Sequence, residues 1–296
     1  MPVTFIKNPI LQNLANIGFK RMDEDFQPHV RDTLKETLIS GDGIDVTFFS
    51  SREFELKVSE NLYSRIISTD FYFSYQKVQE HTNCFIGPSV KHLPVTWLIV
   101  GAYYSAFYSA IELGRLFGIY NIYLNKVHCD SIASHTEGNK SIDRGNYIGI
   151  VKRDIDKYVT IRFSSREKSP PHDLAWKNIL EILNGNNAND VRPAKVEILK
   201  LCKSILNSSN QLINTPNNVR NDWNYSFPNA YSSEFCSELD ELKSYLTPTS
   251  RKSITHWPKS YKKQSAKQKN VYSVIYIESI LRQVMKDIND KLYINQ

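Results

Sequence analysis

A run without a single charged residue extends from Val95 to Ile111. Small side chains recur every fourth position along it, and bulky apolar or aromatic side chains take most of the remaining circumference of a helix. The small residues form two neighbouring rows: Gly101, Ser105 and Ser109, then Ala102, Ala106 and Ala110. The pattern predicts a buried helix from Val95 to Phe117. Its 17 uncharged residues fall short of the ~20 that a membrane span needs.

Apolar residues at helical spacing predict further helices on both sides of this central one. The clearest pattern covers 193–213, and Thr215-Pro216 then marks the start of another helix, since proline is tolerated at a first helical position. The remaining predicted helices cover 51–80, 174–183, 232–246 and 271–292.

Extended structure is predicted in two places. Gly41 to Phe49 reads as a turn followed by a short strand, and Tyr147 to Val151 with Tyr158 to Phe163 reads as a small hairpin. The predicted fold class is therefore mainly α, a helical bundle with a small β or irregular insertion at 119–171 and a C-terminal helix. The predicted division is an irregular segment 1–50, a helical domain 51–246, and a basic linker with the C-terminal helix at 247–296.

The positive charge of the chain is concentrated in one segment. The net charge is +6, yet 249–270 alone carries seven basic residues and no acid. Such a cluster favours contact with a polyanion, although charged runs of this kind also occur as solvated loops. Lysines that contact phosphate, interleaved with rings that stack on bases, would form a nucleic-acid site. Its candidate residues are Arg251, Lys252, Trp257, Lys259, Tyr261, Lys262 and Lys263.

Metal, redox and secretion signals are weak. The four cysteines are isolated, which is typical of buried free thiols. His128, Cys129, Asp130 and His135 make the one metal-like group, but a polar loop explains them better than a zinc site. No metal or cofactor is therefore predicted. The first residues, MPVTFIKNPIL, lack a basic-then-apolar leader, so we expect a cytoplasmic protein without a membrane anchor.

The most informative short motif is RNDWNY, from Arg220 to Tyr225. A guanidinium can hold a phosphate through two parallel hydrogen bonds, and the amides of Asn221 and Asn224 can orient a phosphate oxygen. Spacing alone leaves a second interpretation open, in which Arg220 pairs with an acid and the aromatic residues pack inward. Glu112 could brace Arg220, or it could be a solvated acid at a helix end.

The central helix, with Ala102-Tyr103-Tyr104-Ser105-Ala106-Phe107 at its middle, resembles the YYxAFxxA helix of HEPN domains. These are all-α domains of prokaryotic ribonucleases, toxins and defence systems. A later helix in that family carries an Arg, often followed by Asn and, four to six residues on, by His. Arg220-Asn221 occupies the Arg-Asn place on a helix that follows a long amphipathic one. The resemblance covers about thirty residues and implies a domain at roughly 50–246.

One residue departs from the family pattern. The resemblance implies that Arg and His act together, usually across a dimer interface, to cleave RNA by attack of the ribose 2′-hydroxyl. This chain has Tyr225 five positions after Arg220, and no histidine from 173 to 255. Tyrosine ordinarily titrates near ~10 and is a poor general base at neutral pH. The resemblance implies a ribonuclease-like pocket whose catalytic set is Arg220, Asn221, Asn224, Tyr225 and Glu112.

The predicted function follows from these features together. It is RNA-directed, a metal-independent endoribonuclease effector of a toxin–antitoxin or antiphage defence system. Its predicted partners are RNA, a second copy of the chain, and an antitoxin or another component of a defence complex. The alternative is a non-catalytic HEPN-like scaffold or sensor that binds RNA or protein, and the missing histidine favours it.

Overall fold

The computed structural model describes residues 2–23, 25–86, 93–138, 140–166, 171–186, 193–207, 213–225, 254 and 256–293. Its internal contacts divide the chain into two compact units. Unit 1 comprises Met1–Lys7, Tyr75–Ala110 and Ile179–Lys286. Unit 2 comprises Asn8–Ser74, Ile111–Asn178 and Asp287–Gln296.

Helices make up most of the described chain. The predicted central helix is confirmed as α4, and the predicted helices that begin near 174, 193 and 216 are confirmed as α6, α7 and α8. No helix among the described residues is both long enough and apolar enough to cross a membrane. The helices are α1 Val3–Asn16, α2 Leu34–Ser40, α3 Glu60–Ile86, α4 Val95–Leu116, α5 Lys126–Ser134, α6 Pro171–Asn184, α7 Pro193–Leu206, α8 Pro216–Tyr225, α9 Trp257–Ser260 and α10 Ala266–Leu292.

Unit 2 contains a five-stranded antiparallel sheet in the order β1-β2-β5-β4-β3. Phe54 on β2 stacks on Phe163 of β5, with ring centroids 5.0 Å apart. A Cβ at Gly149 on β4 would lie 2.5 Å from the Phe163 ring, so glycine at this position leaves room for that ring. The strands are β1 Ile44–Ser50, β2 Glu53–Ser59, β3 Ile119–Leu124, β4 Gly145–Arg153 and β5 Tyr158–Ser165.

This sheet overturns the predicted fold class. The chain is mixed α/β rather than a mainly α bundle with a small insertion. The predicted hairpin is confirmed as β4 and β5, but β5 also pairs with β2, which lies more than a hundred residues earlier. The strands at 119–171 therefore belong to a continuous sheet, because their hydrogen-bonding partners include strands outside that segment.

The predicted helix at 51–80 was wrong in its first part. Phe54 and Val58 are four residues apart, a spacing that suits one face of a helix and also one face of a strand. Leu56 between them decides the matter, since all three side chains are buried while the residues between them are partly exposed. Alternation with a period of two specifies a strand, and helix α3 begins only at Glu60.

Two segments predicted to be irregular contain regular structure. Residues 1–50 contain α1 and α2 besides β1, which confirms the short strand predicted within Gly41 to Phe49, while 119–146 contains β3 and α5. Polar residues at these positions obscured the periodicity but serve as helix caps. Asn125, for example, accepts a hydrogen bond from the backbone of His128 at the start of α5. The predicted helix at 232–246 lies outside the described residues.

Candidate functional site

Helix α8 positions the RNDWNY motif within unit 1. Thr215 precedes the helix, and its hydroxyl accepts a hydrogen bond from the backbone NH of Asn218 at 3.4 Å. Pro216 follows at the first helical position, where its missing NH costs nothing. The buried residues of α8 recur at i, i+3, i+4 and i+7, so one face of the helix packs inward: Pro216, Val219, Arg220 and Trp223. Arg220 is therefore a polar member of an otherwise apolar face.

Arg220 lies among aromatic rings. Arg220 is 9% exposed. Its guanidinium carbon lies 5.4 Å from the ring centroid of Tyr103 and 5.7 Å from that of Tyr104, and both tyrosines are on α4. The Tyr225 ring is 6.0 Å away. The Nη1 atom donates a hydrogen bond of 2.6 Å to Oδ1 of Asn221. These contacts hold a planar cation against the negative faces of rings, an arrangement that also suits anion recognition.

The end of α8 carries the accessible members of the motif. Tyr225 is 73% exposed and Asn224 is also exposed, whereas Trp223 is buried in the core. Asp222 accepts a hydrogen bond from the amide of Asn214 at 3.3 Å. The structure therefore brings Arg220, Asn221 and Tyr225 together, with the phenol of Tyr225 exposed beside the guanidinium, and Asn224 is exposed one helical turn after Arg220.

Glu112 belongs to unit 2, on the last part of α4. Its Oε2 accepts hydrogen bonds from the hydroxyl of Ser74 at 2.8 Å and from Nη1 of Arg115 at 3.0 Å. The Glu112 side chain is fully buried, so the interpretation as a solvated helix-end acid is wrong. Its predicted role as a brace for Arg220 stays a prediction, since these bonds show only its place within unit 2.

A group of titratable side chains that the sequence did not reveal surrounds Glu112. Asp70 on α3 is half-buried, but its carboxyl group is enclosed closely enough that burial raises its pKa to about 7, against opposition from the positive charge of Arg115. The charge of Glu112 raises the Asp70 pKa further. Burial also raises the pKa of Tyr63 and of Tyr120 well above the ordinary value for tyrosine. We name Asp70, Glu112 and Arg115 the acid–arginine cluster.

Unit 1 has a buried carboxylate of its own. Glu278 on α10 is fully buried and accepts hydrogen bonds from Nε of Arg282 at 2.8 Å and from the Ser105 hydroxyl at 3.2 Å. The Ser105 oxygen also lies 3.3 Å from that of Thr82 on α3. Ser105, one of the small residues of α4, therefore links α3 and α10 through hydrogen bonds between buried polar side chains. Buried charges that are paired and hydrogen-bonded are typical of structural positions.

The basic segment divides into core and surface residues. Trp257 is buried, donates a hydrogen bond to Gln264, and packs on Tyr276 with ring centroids 4.9 Å apart. The prediction that Trp257 stacks on bases was therefore wrong, because its ring belongs to the core. Tyr261 is half-buried. Lys259, Lys262 and Lys263 are exposed, and Arg251 and Lys252 lie outside the described residues.

The metal-like group of the sequence lies on α5 and at its end, so the predicted polar loop was wrong. His128 completes a capping box with Asn125, and the Cys129 thiol donates to the backbone oxygen of Asp143 at 3.5 Å. Among the described residues, no group of three or more His, Cys, Asp or Glu side chains is arranged to hold a metal ion.

Comparisons with known proteins add no family to this picture. No protein-family model, curated protein or solved structure matches this sequence. The geometry of the Arg220 site and the resemblance of its two helices are therefore the basis for a functional interpretation.

Proposed function

We propose that the chain is an RNA-directed protein with a HEPN-like site, and that it cleaves RNA without a metal ion as the effector of a toxin–antitoxin or antiphage defence system in the cytoplasm. The observation that carries the proposal is the position of Arg220. Its guanidinium is packed on rings of the YYxAF helix, one turn of helix away from an exposed amide and phenol.

In the proposed reaction, the 2′-hydroxyl of a ribose attacks the adjacent phosphorus and loses its proton to solvent or a base. The bond from phosphorus to the 5′ oxygen breaks and that oxygen takes up a proton from solvent, which leaves a 2′,3′-cyclic phosphate and a 5′-hydroxyl. Arg220 holds the phosphate and stabilises the negative charge that develops on its oxygens. Asn221 and Asn224 orient the phosphate, and the phenol of Tyr225 donates a hydrogen bond to the leaving oxygen.

A cleavage assay on labelled transfer and messenger RNA, with chelator present, tests the proposal. Arg220→Ala should reduce the rate about 100- to 1000-fold, the usual cost of removing one group that stabilises transition-state charge. Arg162→Ala is the matched control, because Arg162 also lies over a ring, 4.4 Å from the centroid of Phe49, but on β5 of unit 2. Equal rates for the wild type and Arg220→Ala would contradict the site.

The proposal includes a symmetric dimer in which two copies of α8 face one RNA strand. A two-fold contact would place the same patch on both subunits and double the guanidinium groups around one phosphate. Light scattering on the purified chain should give twice the mass of a monomer. A monomer that cleaves RNA at full rate would contradict this part of the proposal and leave the Arg220 chemistry in place.

The second candidate function is RNA binding without cleavage. The observation that favours it is Tyr225 at the position where the resemblance implies histidine, since histidine is the usual proton-transfer group near neutral pH. This candidate predicts that Arg220→Ala weakens RNA binding while neither protein cuts any RNA. The same labelled substrates therefore separate the two functions.

A further inference from the structure

The accessible side of α4 in unit 1 is unusual for a surface helix. Exposed helix positions are normally polar, yet between Val95 and Ala110 there is no charged residue. The positions that keep accessible surface carry three aromatic rings, one of them on Trp97, which is 63% exposed. These positions are Thr96, Trp97, Gly101, Tyr104 and Tyr108.

Tyr104 and Tyr108 form the centre of this accessible side, and we name the pair the tyrosine platform. The two rings lie 6.2 Å apart between centroids and within 28° of parallel, one turn apart on α4. Both residues are only half-buried. Two nearly parallel rings on a rigid helix are a preformed stacking surface, so a planar ligand would bind without ordering a loop first.

A cation lies over each ring of the platform. Lys77 on α3 places its Nζ over the face of the Tyr108 ring, 3.6 Å from the centroid, and the Arg220 guanidinium lies over the Tyr104 ring at 5.7 Å. The His81 ring is 5.2 Å from that of Tyr108. Burial and the charge of Lys77 lower the pKa of His81, with Glu80 opposing, so His81 presents a neutral ring at pH 7.

We infer that the tyrosine platform binds unpaired RNA bases by stacking, while Lys77 moves from the face of the Tyr108 ring to one phosphate and Arg220 contacts another. The inference rests on the proposed function, because it names the strand that the Arg220 site receives. Alternating rings and cations match alternating bases and phosphates. Bases in a duplex are already stacked and expose only their edges, so the platform selects single-stranded RNA.

The same arrangement explains how a strand would be brought to Arg220. This residue contacts both the platform ring of Tyr104 and the ring of the exposed Tyr225. A base stacked on Tyr104 would hold its own phosphate beside the guanidinium. The platform residues therefore position the substrate and take no part in bond breaking.

Binding is measured by fluorescence anisotropy with a labelled 2′-O-methyl oligouridine of about ten nucleotides, a length typical of one single-strand site. The missing 2′-hydroxyls prevent cleavage, so binding is read separately from the reaction. The test variant is the double substitution Tyr104→Leu with Tyr108→Leu, which keeps apolar volume but removes the rings. The matched control is Tyr158→Leu on β5, a tyrosine 38% exposed with Lys57 Nζ 4.8 Å from its centroid.

We expect the double variant to bind the strand at least about tenfold more weakly than the wild type, and the control to bind unchanged. Tyr104→Trp with Tyr108→Trp should restore or tighten binding, which loss of folding in the leucine variant would not explain. A duplex of the same length, with a complementary 2′-O-methyl strand, should bind more weakly than the single strand.

Two results would overturn the platform alone: single-strand binding that is unchanged in the leucine variant, or a duplex that binds as tightly as the single strand. Cleavage that depends on Arg220 would still stand in either case. If the wild type neither binds the oligonucleotide nor cleaves natural RNA, the proposed function itself fails. The tyrosine platform would then be a surface for a protein partner.

Discussion

Arg220 in unit 1 and Arg115 in unit 2 show two uses of the same side chain. Arg115 pairs at 3.0 Å with a carboxylate that is completely buried, and Asp70 lies near both. The contacts of Arg220 described above are to rings and to a neutral amide, next to an exposed phenol. The two arginines therefore differ in their described surroundings, since a fully buried carboxylate fixes the Arg115 guanidinium in place and an exposed phenol lies beside that of Arg220.

Substitution of Glu112 should have the largest effect on folding. Glu112→Ala leaves Arg115 without its buried partner, so we expect the free energy of unfolding to fall by about 3–5 kcal/mol. Chemical denaturation measures it. Glu53→Ala is the matched control, because Glu53 pairs with Arg162 at 2.8 Å on the exposed side of the sheet, where such pairs contribute about 0–1 kcal/mol. Equal losses in the two variants would contradict a structural role for the acid–arginine cluster.

The raised pKa of Asp70 makes the stability of the folded chain depend on pH. The folded chain binds this proton up to about pH 7, whereas the unfolded chain releases it near the ordinary value of 3.8. Between these values the folded state holds more protons, so stability falls as pH rises, by at most about 1.4 kcal/mol per pH unit.

Asp70→Asn removes that titration and keeps a neutral side chain of the same shape. We expect the variant and the wild type to be similarly stable near pH 4, and the variant to be the more stable of the two at pH 8. Denaturation curves across this range measure the difference. A wild type that gains stability relative to the variant as pH rises would show that the Asp70 carboxylate is stabilised in the fold, contrary to our account.

The Tyr225→His substitution tests the chemistry of the Arg220 site. The substitution places an imidazole beside Arg220, where the resemblance implies a proton-transfer group. We expect cleavage at neutral pH to rise about tenfold and to follow a titration near ~6.5, while the stability of the chain is unchanged because residue 225 is exposed. Tyr123→His on β3 is the control, since Tyr123 is also exposed but lies in unit 2. A faster rate in both variants would show that the increase does not depend on the Arg220 site.

Removal of the exposed lysines after α9 should have the smallest effect. Lys262→Ala with Lys263→Ala should lower RNA affinity at low salt and reduce the slope of log affinity against log salt by about 1.4, or about 0.7 for each phosphate contact on a single strand. The measurement is a salt titration of binding. An unchanged slope would indicate that these lysines form a solvated surface, the other interpretation of the charged run.

Local patterns predicted much of the helical structure and part of the candidate site. Helix α8 was predictable because Thr215-Pro216 marks its start, and Arg220 stood out as a cation within a polar motif. The acid–arginine cluster was not predictable, because Asp70 lies on α3 while Glu112 and Arg115 lie on α4, and the three meet only through tertiary packing.

The errors have the same physical origin. The four-residue spacing of Phe54 and Val58 fits a helix as well as a strand, and the buried Leu56 between them together with the pairing of β2 and β5 shows that the chain forms a strand. Trp257 lies among lysines in sequence, yet its ring packs on Tyr276 of α10. Short-range spacing therefore identifies elements, while the identity of a buried partner depends on chain segments far away.

The most direct test of the role of Arg220 is the cleavage rate of the Arg220→Ala variant. It is measured without denaturant, at a protein concentration for which the folded fraction of the variant has been determined. We predict a loss of about 100-fold or more in the cleavage rate, with a smaller loss in unfolding free energy than that of Glu112→Ala, because Arg220 keeps 9% of its surface exposed whereas Glu112 is fully buried. The opposite result, an unchanged rate with a stability loss as large as that of Glu112→Ala, would make Arg220 a structural residue like Arg115 and contradict the central claim.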